Sequence, residues 1–428
     1  MIDIPVSILN SPKRKYPMNR RKFIEKLGLG LGGLGFWSTF LPPHLAAKLP
    51  KNIKIIDLKA WAVGIEANQV FVKIYTNEGV TGLGEASVHR KTGTTLAACL
   101  ELKDVLMGHD PTRIEFLWQG MFRWPRWRGG PVLNTAISAV EIALWDILGK
   151  LLDVPIYNLL GGGARDKIRL YIHGHSREDV QFAKEKGYTA IKTGPPLNVV
   201  NDRLQFPWDL TAAVDKFAEL RDEAGPKFDI ATDAHTKLTP IQSLQYAKGI
   251  EEFRPLWLEE PINIEFNDSL QWLSERTTVP LATGERHFTK FDFEDIISRH
   301  LVSYVQPDVI QAGGISETRK ICAMAEAQGI QAACHNPSSL PCTLASLHID
   351  ACTPNCVIQE SKFKMVERPS GWEEDIFMGA HVTAKDGYAM LPEMPGLGCD
   401  FDEKIAEEHP FELVNPQPVY EDGSVRDH

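Results

Sequence analysis

The sequence lacks three features that would direct it to particular classes of protein. It has no excess of positive charge: the 428 residues carry a formal net charge of −10, so charge gives no reason to expect a nucleic acid partner. It has no paired cysteine pattern: the seven cysteines are odd in number and scattered, unlike a disulfide framework or zinc-type pairs. Its N-terminal apolar run, Leu27–Phe40, is too short to span a membrane permanently.

Positive charge is concentrated in residues 1–47, where seven basic and two acidic residues give 7 − 2 = +5 and leave −10 − 5 = −15 for the remainder. A basic start before a short apolar run is typical of a removable export signal. The pair Arg20–Arg21 resembles a twin-arginine signal, a route for proteins that fold before export, which suits unpaired cysteines. We therefore predict a periplasmic protein without stable membrane insertion. The alternatives are a cytoplasmic protein with a basic tail and, because Leu45 weakens the cleavage site, a retained anchor.

The rest of the chain is long enough for a large core, since 43% of all residues are hydrophobic. Residues 53–165 begin with alternating strands and continue with a helical pattern, which predicts an α+β domain. Residues 166–361 repeat a strand followed by a helix, and residues 362–428 are rich in Pro, Gly and acids and are expected to pack back on the first domain. The glycines of the run 27–40 spell a dinucleotide-binding pattern, but no strand precedes them, so this reading is excluded.

Eight short apolar segments predict the strands of a (β/α)8-type barrel, because amphipathic segments separate them. They lie at 168–175, 189–194, 228–235, 255–261, 280–285, 303–309, 331–336 and 356–361. Polar residues follow the C-terminal ends of many of these segments, and this is the catalytic face of such barrels.

Three carboxylates stand 26 residues apart, each closing an apolar segment: Asp233, Glu259 and Glu285. That step is the length of one strand–helix unit, so the three side chains should emerge from neighbouring strands. Hard oxygen ligands in this arrangement predict a divalent cation site, with Mg²⁺ as the cofactor.

Further polar residues end other strands around this site. His235 follows Asp233 by two residues, so strand alternation predicts that it faces the cation as a general acid. Asp308 ends strand six and His335 strand seven; the carboxylate can bind one ring nitrogen and make the other more basic. Glu360 ends strand eight, either as a salt-bridge partner or as a protonated carboxyl that donates to a developing oxyanion.

These motifs resemble the mandelate racemase subgroup of the enolase superfamily, and most of all the D-galactonate dehydratase family. The resemblance covers residues 53–425 and includes ALWDILGK (143–150), LEEP (258–261), GERHFTKFDF (284–293), QPDVIQAGGISETRK (306–320), LASLHID (344–350), MPGLG (394–398) and EDGSV (421–425). It implies a (β/α)7β modified TIM barrel with an α+β cap built from both terminal segments. It also implies one Mg²⁺ on Asp233, Glu259 and Glu285, His335 with Asp308 as the base, His235 as the acid and Glu360 as the enolate stabiliser.

The resemblance implies a dehydratase that removes the α-proton of a sugar acid and eliminates the 3-hydroxyl to give a 2-keto-3-deoxy acid. We expect Lys192, His173, His175 and Glu285 to contact this substrate, and we expect a homo-oligomer. Where many relatives carry Lys-x-Lys, this chain has Lys192-Thr193-Gly194, which disfavours a two-base racemase. A cycloisomerase or epimerase of the same superfamily is the alternative.

Two alternative functions, from other classes of protein, have less support in the sequence. His173-Gly174-His175 resembles the entry motif of zinc amidohydrolase barrels, but those need an aspartate where strand eight ends in Glu360. An exported protein that only binds sugar acids would not need an acid, a base and an orienting carboxylate.

Overall fold

The computed structural model describes residues 49–428, except 66–67, 196–198, 201–202, 205–209, 362–374, 380–381, 383, 413–418 and 426–428. The predicted export signal, residues 1–47, lies outside the described residues. The described chain forms an α+β cap, a parallel barrel and a C-terminal segment.

The cap opens with the predicted antiparallel sheet, in which β1 (Ile55–Val63), β2 (Gln69–Thr76) and β3 (Thr81–Glu85) follow one another. The turn between β2 and β3 contains Gly79, whose φ of +76° glycine adopts without strain. The helices of the cap are α1 (Thr92–Glu101), α2 (Lys103–Leu106), α3 (Ile114–Arg123), α4 (Pro131–Leu152) and α5 (Ile156–Leu159).

Helix α4 is the core helix of the cap and packs directly on β3. A Cβ atom on Gly82 or Gly84 would lie 2.0 or 1.9 Å from a backbone oxygen of α4, so only glycine permits this approach. The helix starts with Pro131 in its first turn and ends at Asp153, whose φ is +57°. In the described part of the chain, α4 alone is long and apolar enough to cross a membrane, and most of it is buried inside the fold.

All eight predicted barrel strands are confirmed at their predicted places. They are β4 (Lys167–His173), β5 (Ala190–Thr193), β8 (Asp229–Asp233), β9 (Leu258–Glu259), β10 (Leu281–Thr283), β11 (Tyr304–Val305), β12 (Gln331–Ala332) and β13 (Gln359–Glu360). Two short strands, β6 (Val199–Val200) and β7 (Arg203–Leu204), lie between β5 and the next helix. The barrel strands are shorter than their apolar segments because staggered neighbours pair only part of each segment.

Seven helices connect these strands, as a (β/α)7β barrel requires. They are α6 (Arg177–Glu185), α7 (Leu210–Ala224), α8 (Pro240–Ile250, continued by a 3₁₀ turn at Glu251–Phe253), α9 (Asn267–Ser274), α10 (Thr289–Ser298), α11 (Ile315–Ala327) and α12 (Leu340–Cys352). The strands are parallel in the order β4, β5, β8, β9, β10, β11, β12. The ring closes because Cys356 bridges Ala332 in β12 and β13 pairs with β4.

The barrel has an inner and an outer core. The inner cluster fills the ring with side chains from alternate strand positions: Tyr171, Ala190, Ala231, Trp257, Ala282, Ala333 and Ile358. The outer cluster lies between strands and helices and continues into the cap. Because the ring is filled by side chains, ligands can reach only the ends of the strands.

The C-terminal segment touches both domains. Its elements are β14 (Phe377–Gly379), β15 (Ala384–Lys385), β16 (Tyr388–Met390), β17 (Cys399–Phe401), α13 (Glu403–Glu408) and β18 (Val419–Tyr420). Asp400 and Glu403 form ion pairs with Lys73 of the cap at 3.0 and 3.5 Å. The β15–β16 hairpin instead pairs antiparallel with β4 of the barrel, a contact that the sequence analysis missed.

Candidate active site

The three evenly spaced carboxylates emerge side by side at one end of the barrel. Asp233 ends β8 opposite Glu259, the last residue of β9, and Glu259 is in register with Ala282 of β10. Glu285 follows β10 by two residues. Asp233 and Glu259 are buried, and the side chain of Glu285 is only 11% exposed. The strand–helix period therefore brings together three acids that are far apart in sequence.

Asp233 and Glu285 offer oxygens that lack protein donors. Neither Asp233 Oδ2 nor Glu285 Oε2 accepts a hydrogen bond; their nearest partners are the Nε2 atoms of His235 and His335, at 3.1 and 3.3 Å. Burial and the nearby Glu259 raise the pKa of Asp233 well above its usual range. Buried polar oxygens that accept no hydrogen bond are unfavourable. The donor set therefore fits a hard divalent cation, and potential ligand atoms of Asp233, His235 and Glu285 lie within 4.8 Å of one another.

Glu259, the third predicted ligand, has a different environment. Its Oε1 accepts a hydrogen bond from Lys192 at 2.8 Å, and its Oε2 accepts from Trp257 and Gln306, each at 2.8 Å. The structure thus places Glu259 in the same site but directs it to Lys192. Trp257 and Gln306 were not predicted from the sequence, because an indole and an amide beside short strands give no metal-type signal.

Lys192 lies at the centre of these carboxylates. Its Nζ is 2.8 Å from Glu259, 2.7 Å from Glu360 and 3.7 Å from Asp233. Burial alone would lower the pKa of Lys192, but Glu259 and Glu360 raise it well above its usual range. Lys192 is therefore a fixed cation at the mouth of the barrel, within the cleft where the substrate was expected.

His335 is held between two carboxylates. Its Nδ1 lies 3.0 Å from Asp308 Oδ2, the partner expected from sequence, and its Nε2 lies 3.3 Å from Glu285. Asp308 is fully buried and is itself fixed by the amide of Ile310, which donates to Oδ1 at 3.0 Å. Burial would lower the pKa of His335, but Glu285 and Asp308 raise it to about 10. The ring is therefore protonated in this arrangement.

His235 reaches the site by a turn and not by strand alternation. Strand β8 ends at Asp233, and His235 has a left-handed φ of +48°. Its amide donates to Asp233 Oδ1 at 2.8 Å, which folds the side chain back beside that carboxylate. Burial lowers the pKa of His235 to about 4, so the ring is neutral here. The two histidines thus carry charges opposite to those that the acid and base roles require at the start of turnover.

Glu360 differs from the protonated carboxyl that was one expectation. It accepts from His173 Nε2 at 2.6 Å, from Lys192 at 2.7 Å and from the amide of Asn336 at 2.9 Å. Burial would raise the pKa of Glu360, but Lys192 and then His173 hold it well below its usual range. Glu360 is an anion here, because three donors converge on it, and its salt-bridge reading is the one that the structure supports.

A cleft of about 470 Å³ opens beside these residues. Its walls include the expected contact residues His173, His175 and Lys192, and it also reaches His235 and Asp233. Lys216 and Lys237 add further basic side chains to its rim. The cleft therefore combines the carboxylate of Asp233 with lysine and imidazole groups along its walls, which suits a polyhydroxylated anion.

Glu260, the second acid of LEEP, is a supporting residue that the sequence analysis missed. It is fully buried and accepts from the hydroxyl of Thr283 and, at 3.0 Å, from the amide of Gly284. Burial and Glu285 raise the pKa of Glu260 to about 7. By holding the Gly284 turn, Glu260 directs Glu285 into the site.

Comparisons with known proteins agree with this architecture. Residues 56–161 match the family described as the mandelate racemase / muconate lactonizing enzyme N-terminal domain, and residues 176–405 match the enolase C-terminal domain-like family. The chain is 38% identical to D-galactonate dehydratase of Ralstonia pickettii over 83% of this chain and 95% of that protein. It is 35% identical to D-mannonate dehydratase of a Sphingomonas strain over 87% of this chain and 99% of that protein.

A solved structure of an enolase from Pantoea ananatis, with bound D-gluconate and Mg, is also similar. It superposes with a TM-score of 0.78 at 30% identity, covering 88% of this chain and all of that one. The chain therefore belongs to the enolase superfamily, in its mandelate racemase subgroup, and resembles the D-galactonate dehydratases within it.

Proposed function

We propose that the protein is a Mg²⁺-dependent sugar acid dehydratase that converts an aldonate into a 2-keto-3-deoxy acid. The observation that carries the proposal is His335, held by Asp308 at one nitrogen while the other faces the carboxylate cluster. A base beside a cation site is the arrangement that removes a proton next to a bound carboxylate. The names of the relatives and the gluconate and Mg of the Pantoea structure support the same reaction class.

Asp233 and Glu285 would hold the cation, with Glu259 completing the set once its oxygen exchanges Lys192 for the metal. When bound, Mg²⁺ supplies positive charge that acidifies the α-proton of the substrate and offsets the charge of Glu285 beside His335. The unpaired oxygens of Asp233 and Glu285 support this assignment.

In the proposed reaction, His335 first loses its Nε2 proton to solvent, once a cation offsets the charge of Glu285. The same nitrogen then accepts the α-proton, because Nδ1 is occupied by Asp308. Lys192 and the groups around Glu360 supply the positive charge that stabilises the enolate. His235, beside Asp233, is neutral before substrate binds; it takes up a proton from solvent beside the anionic substrate and then donates that proton to the departing 3-hydroxyl. Water leaves, and the resulting enol tautomerises to the 2-keto acid.

The isomerase alternative needs a second base on the opposite face of the α-carbon. Lys192 is the candidate, but Glu259 and Glu360 hold its Nζ at 2.8 and 2.7 Å. A lysine that is buried in two ion pairs cannot easily lose its proton. Proton removal from one side, followed by elimination, is therefore favoured over epimerisation.

The amidohydrolase alternative is disfavoured by the placement of its two histidines. His173 contacts Glu360, and His175 lies 3.4 Å from Thr193 Oγ1. Neither belongs to a cluster of three potential metal ligands among the residues that the structure describes.

Incubating the enzyme with a library of sugar acids and Mg²⁺ and detecting 2-keto acids tests the proposal. We expect 2-keto-3-deoxy product from one or a few aldonates, none after chelation, and recovery with Mg²⁺. Asp233→Asn should abolish product without unfolding the protein, while Glu178→Gln, which changes an exposed acid on α6, should have no effect. Formation of isomers without 2-keto product would establish the epimerase or cycloisomerase instead, and zinc-only activity would contradict the Mg²⁺ assignment.

A further inference from the structure

Three thiols meet in the outer core of the barrel. They belong to Cys322 in α11, Cys334 just after β12 and Cys356 at the start of the last strand segment, and all three are buried. Their sulfur atoms lie within 4.8 Å of one another, and those of Cys322 and Cys356 are 4.0 Å apart. All seven cysteines of the protein are free thiols. The cluster is therefore a reduced trio of sulfur ligands that the proposed dehydratase reaction does not use.

The position of this cluster separates it from the active site. Ala333 belongs to the inner core of the barrel, so the alternation of side chains directs the next residue, Cys334, outward to the helices. Cys334, Cys322 and Cys356 all belong to the outer core. The sequence could not reveal this trio, because its members come from a helix and two strand segments and do not share a zinc-type spacing.

The backbone around the thiols is fixed by amide side chains. Asn355 Nδ2 donates to the carbonyls of Cys322 and Ile330 at 3.0 and 3.1 Å, which ties helix α11 to the segment before Cys356. Gln359 Nε2 donates to the carbonyl of Cys334 at 2.9 Å. Two of the three cysteines thus have their main chain held by buried amides, so the sulfur atoms are kept close without any bond between them.

A buried acid accompanies the thiols. Asp350 in α12 is 1% exposed, and neither of its side-chain oxygens accepts a hydrogen bond. Burial raises the pKa of Asp350 to about 7, although the guanidinium of Arg165 and the thiol of Cys356 act to lower it. A buried carboxyl group that accepts no hydrogen bond costs stability.

We propose that Cys322, Cys334 and Cys356 bind one thiophilic closed-shell metal ion, Zn²⁺ or Cu⁺, with the buried acid Asp350 nearby but not among the ligands. Thiolates are the ligands that select these ions. Sulfur ligands around tetrahedral Zn²⁺ at about 2.3 Å stand roughly 3.8 Å apart, close to the 4.0 Å between Cys322 and Cys356. On binding, three S–H groups release their protons to solvent and three metal–sulfur bonds form, without any change in oxidation state.

The test begins with the full-length protein purified under reducing conditions and then treated with EDTA to strip the open carboxylate site. After the EDTA is removed, the protein is unfolded with denaturant. Separate samples are then refolded in the presence of Zn²⁺, of Co²⁺ as a spectroscopic substitute for zinc, or of Cu⁺. We expect one equivalent of zinc or copper per chain that survives dialysis, and a thiolate-to-cobalt charge-transfer band in the near ultraviolet. Retention in the zinc sample or in the copper sample identifies the ion.

Variants assign the metal to the cluster. Cys322→Ala and Cys334→Ala should lose the retained ion and the cobalt band, while Cys99→Ala, a buried thiol in the cap, should keep both. Asp350→Asn should weaken binding by about 10–100-fold. Asp233→Asn should leave the cobalt band unchanged, because that residue belongs to the carboxylate site.

The measurement on the wild-type protein decides whether the cluster binds a metal ion, even if a cysteine variant fails to fold. No retained ion and no cobalt band, with seven reactive thiols in the denatured protein, would mean that the cysteines only fill space. Five reactive thiols, with a disulfide between two cluster cysteines, would mean a redox pair. Either result would overturn the metal site.

Discussion

At the scale of single residues, the candidate site is defined by which charges lack partners. Lys192 forms close ion pairs with Glu259 and Glu360, whereas Asp233 Oδ2 and Glu285 Oε2 accept no hydrogen bond. The cations near these two acids are more distant, with Lys192 3.7 Å from Asp233 and Arg286 3.4 Å from Glu285 Oε1. A ligand that brings positive charge would therefore be drawn to Asp233 and Glu285 first. The two histidines, each in contact with one of these acids, are the groups that can move protons there.

The division of labour between the histidines gives the first prediction. His235→Asn should stop dehydration but still allow exchange of the α-proton with deuterated solvent, because the base and the cation remain. His335→Asn should lose both reactions by about 10²–10⁴-fold, the usual contribution of a general base. Mass spectrometry of recovered substrate and a 2-keto assay measure the two steps. Exchange that survives in His335→Asn would assign the base to another group, with Lys192 as the first suspect.

Gly284 gives the second prediction. Its φ is +151°, and a Cβ there would lie 2.7 Å from backbone atoms of Gln306. Gly284→Ala should force β10 from β11, costing about 2–4 kcal/mol of unfolding free energy and weakening Mg²⁺ binding through Glu285. Gly225→Ala is the control, since Gly225 has a φ of +77° but no atom within 4 Å; it should cost only about 1 kcal/mol. Urea unfolding and Mg²⁺ titration compare the two; equal losses would contradict the steric argument.

The residues of the site could be predicted from the sequence only where they follow the repeated strand–helix pattern. Asp233, Glu259 and Glu285 follow the strand–helix period, and Asp308 with His335 ends adjacent strands. The partners of Glu259 are Trp257 and Gln306, and neither carries a pattern of its own. The charge states of His335, His235 and Glu360 could not be predicted either, since each depends on groups from several strands that meet only after folding.

At the scale of elements, the cap is joined to the barrel by a carboxylate at a helix end. Glu141 in α4 is fully buried and accepts from the amides of Ile315 and Ser316, at 2.7 and 3.0 Å. These amides are the unpaired donors of the first turn of α11. Trp145 donates to the same carboxylate at 2.8 Å. A side chain of the α+β domain thus accepts the hydrogen bonds of the first turn of a barrel helix.

The charge of Glu141 gives the third prediction. Burial raises the pKa of Glu141 to about 7, against a usual value near 4.3 in the unfolded chain. The folded state therefore binds more protons between these values, and stability should fall as pH rises from about 4.5 to 7. The loss should be up to about 3 kcal/mol, at 1.36 kcal/mol for each pH unit.

Urea unfolding at several pH values measures this dependence. Glu141→Gln should flatten the decline, although it lowers stability at every pH because an amide cannot accept all three donors. The exposed Glu178→Gln should leave the slope unchanged. If the unfolding free energy of the wild type changes between pH 4.5 and 7 by the same amount as that of Glu141→Gln, the raised pKa of Glu141 is contradicted.

The sequence predicted the positions of the strands better than the contacts between elements. The eight strand segments were identified because short apolar runs alternate with amphipathic ones. The β15–β16 hairpin was missed because Ala384–Lys385 and Tyr388–Met390 are too short to show a period. The capping of α11 by Glu141 was missed for a different reason, since a long-range cap leaves no local signal.

At the scale of the whole molecule, we propose that the protein is exported in its folded state. The basic N-terminus with Arg20–Arg21 motivates this proposal, and free buried thiols are compatible with folding in a reducing compartment. The fourth prediction is that replacing Arg20 and Arg21 with Lys traps the enzyme in the cytoplasm without loss of specific activity. Cell fractionation with an activity assay measures this; full-length wild-type protein in the cytoplasm would contradict export.

Strand β4 has a consequence for how the chain is made. It pairs with β5, with β13 and, through Lys167–Arg169, with β16. The last of these partners, Met390, follows Lys167 by 390 − 167 = 223 residues. At ribosomal speeds of about 5–20 residues per second, that separation is roughly 10 to 45 seconds of synthesis. During this time an apolar strand keeps an open edge that invites pairing with other chains. The first barrel strand to leave the ribosome is thus among the last to be fully paired, and a nascent chain needs protection at that edge until its C-terminal hairpin emerges.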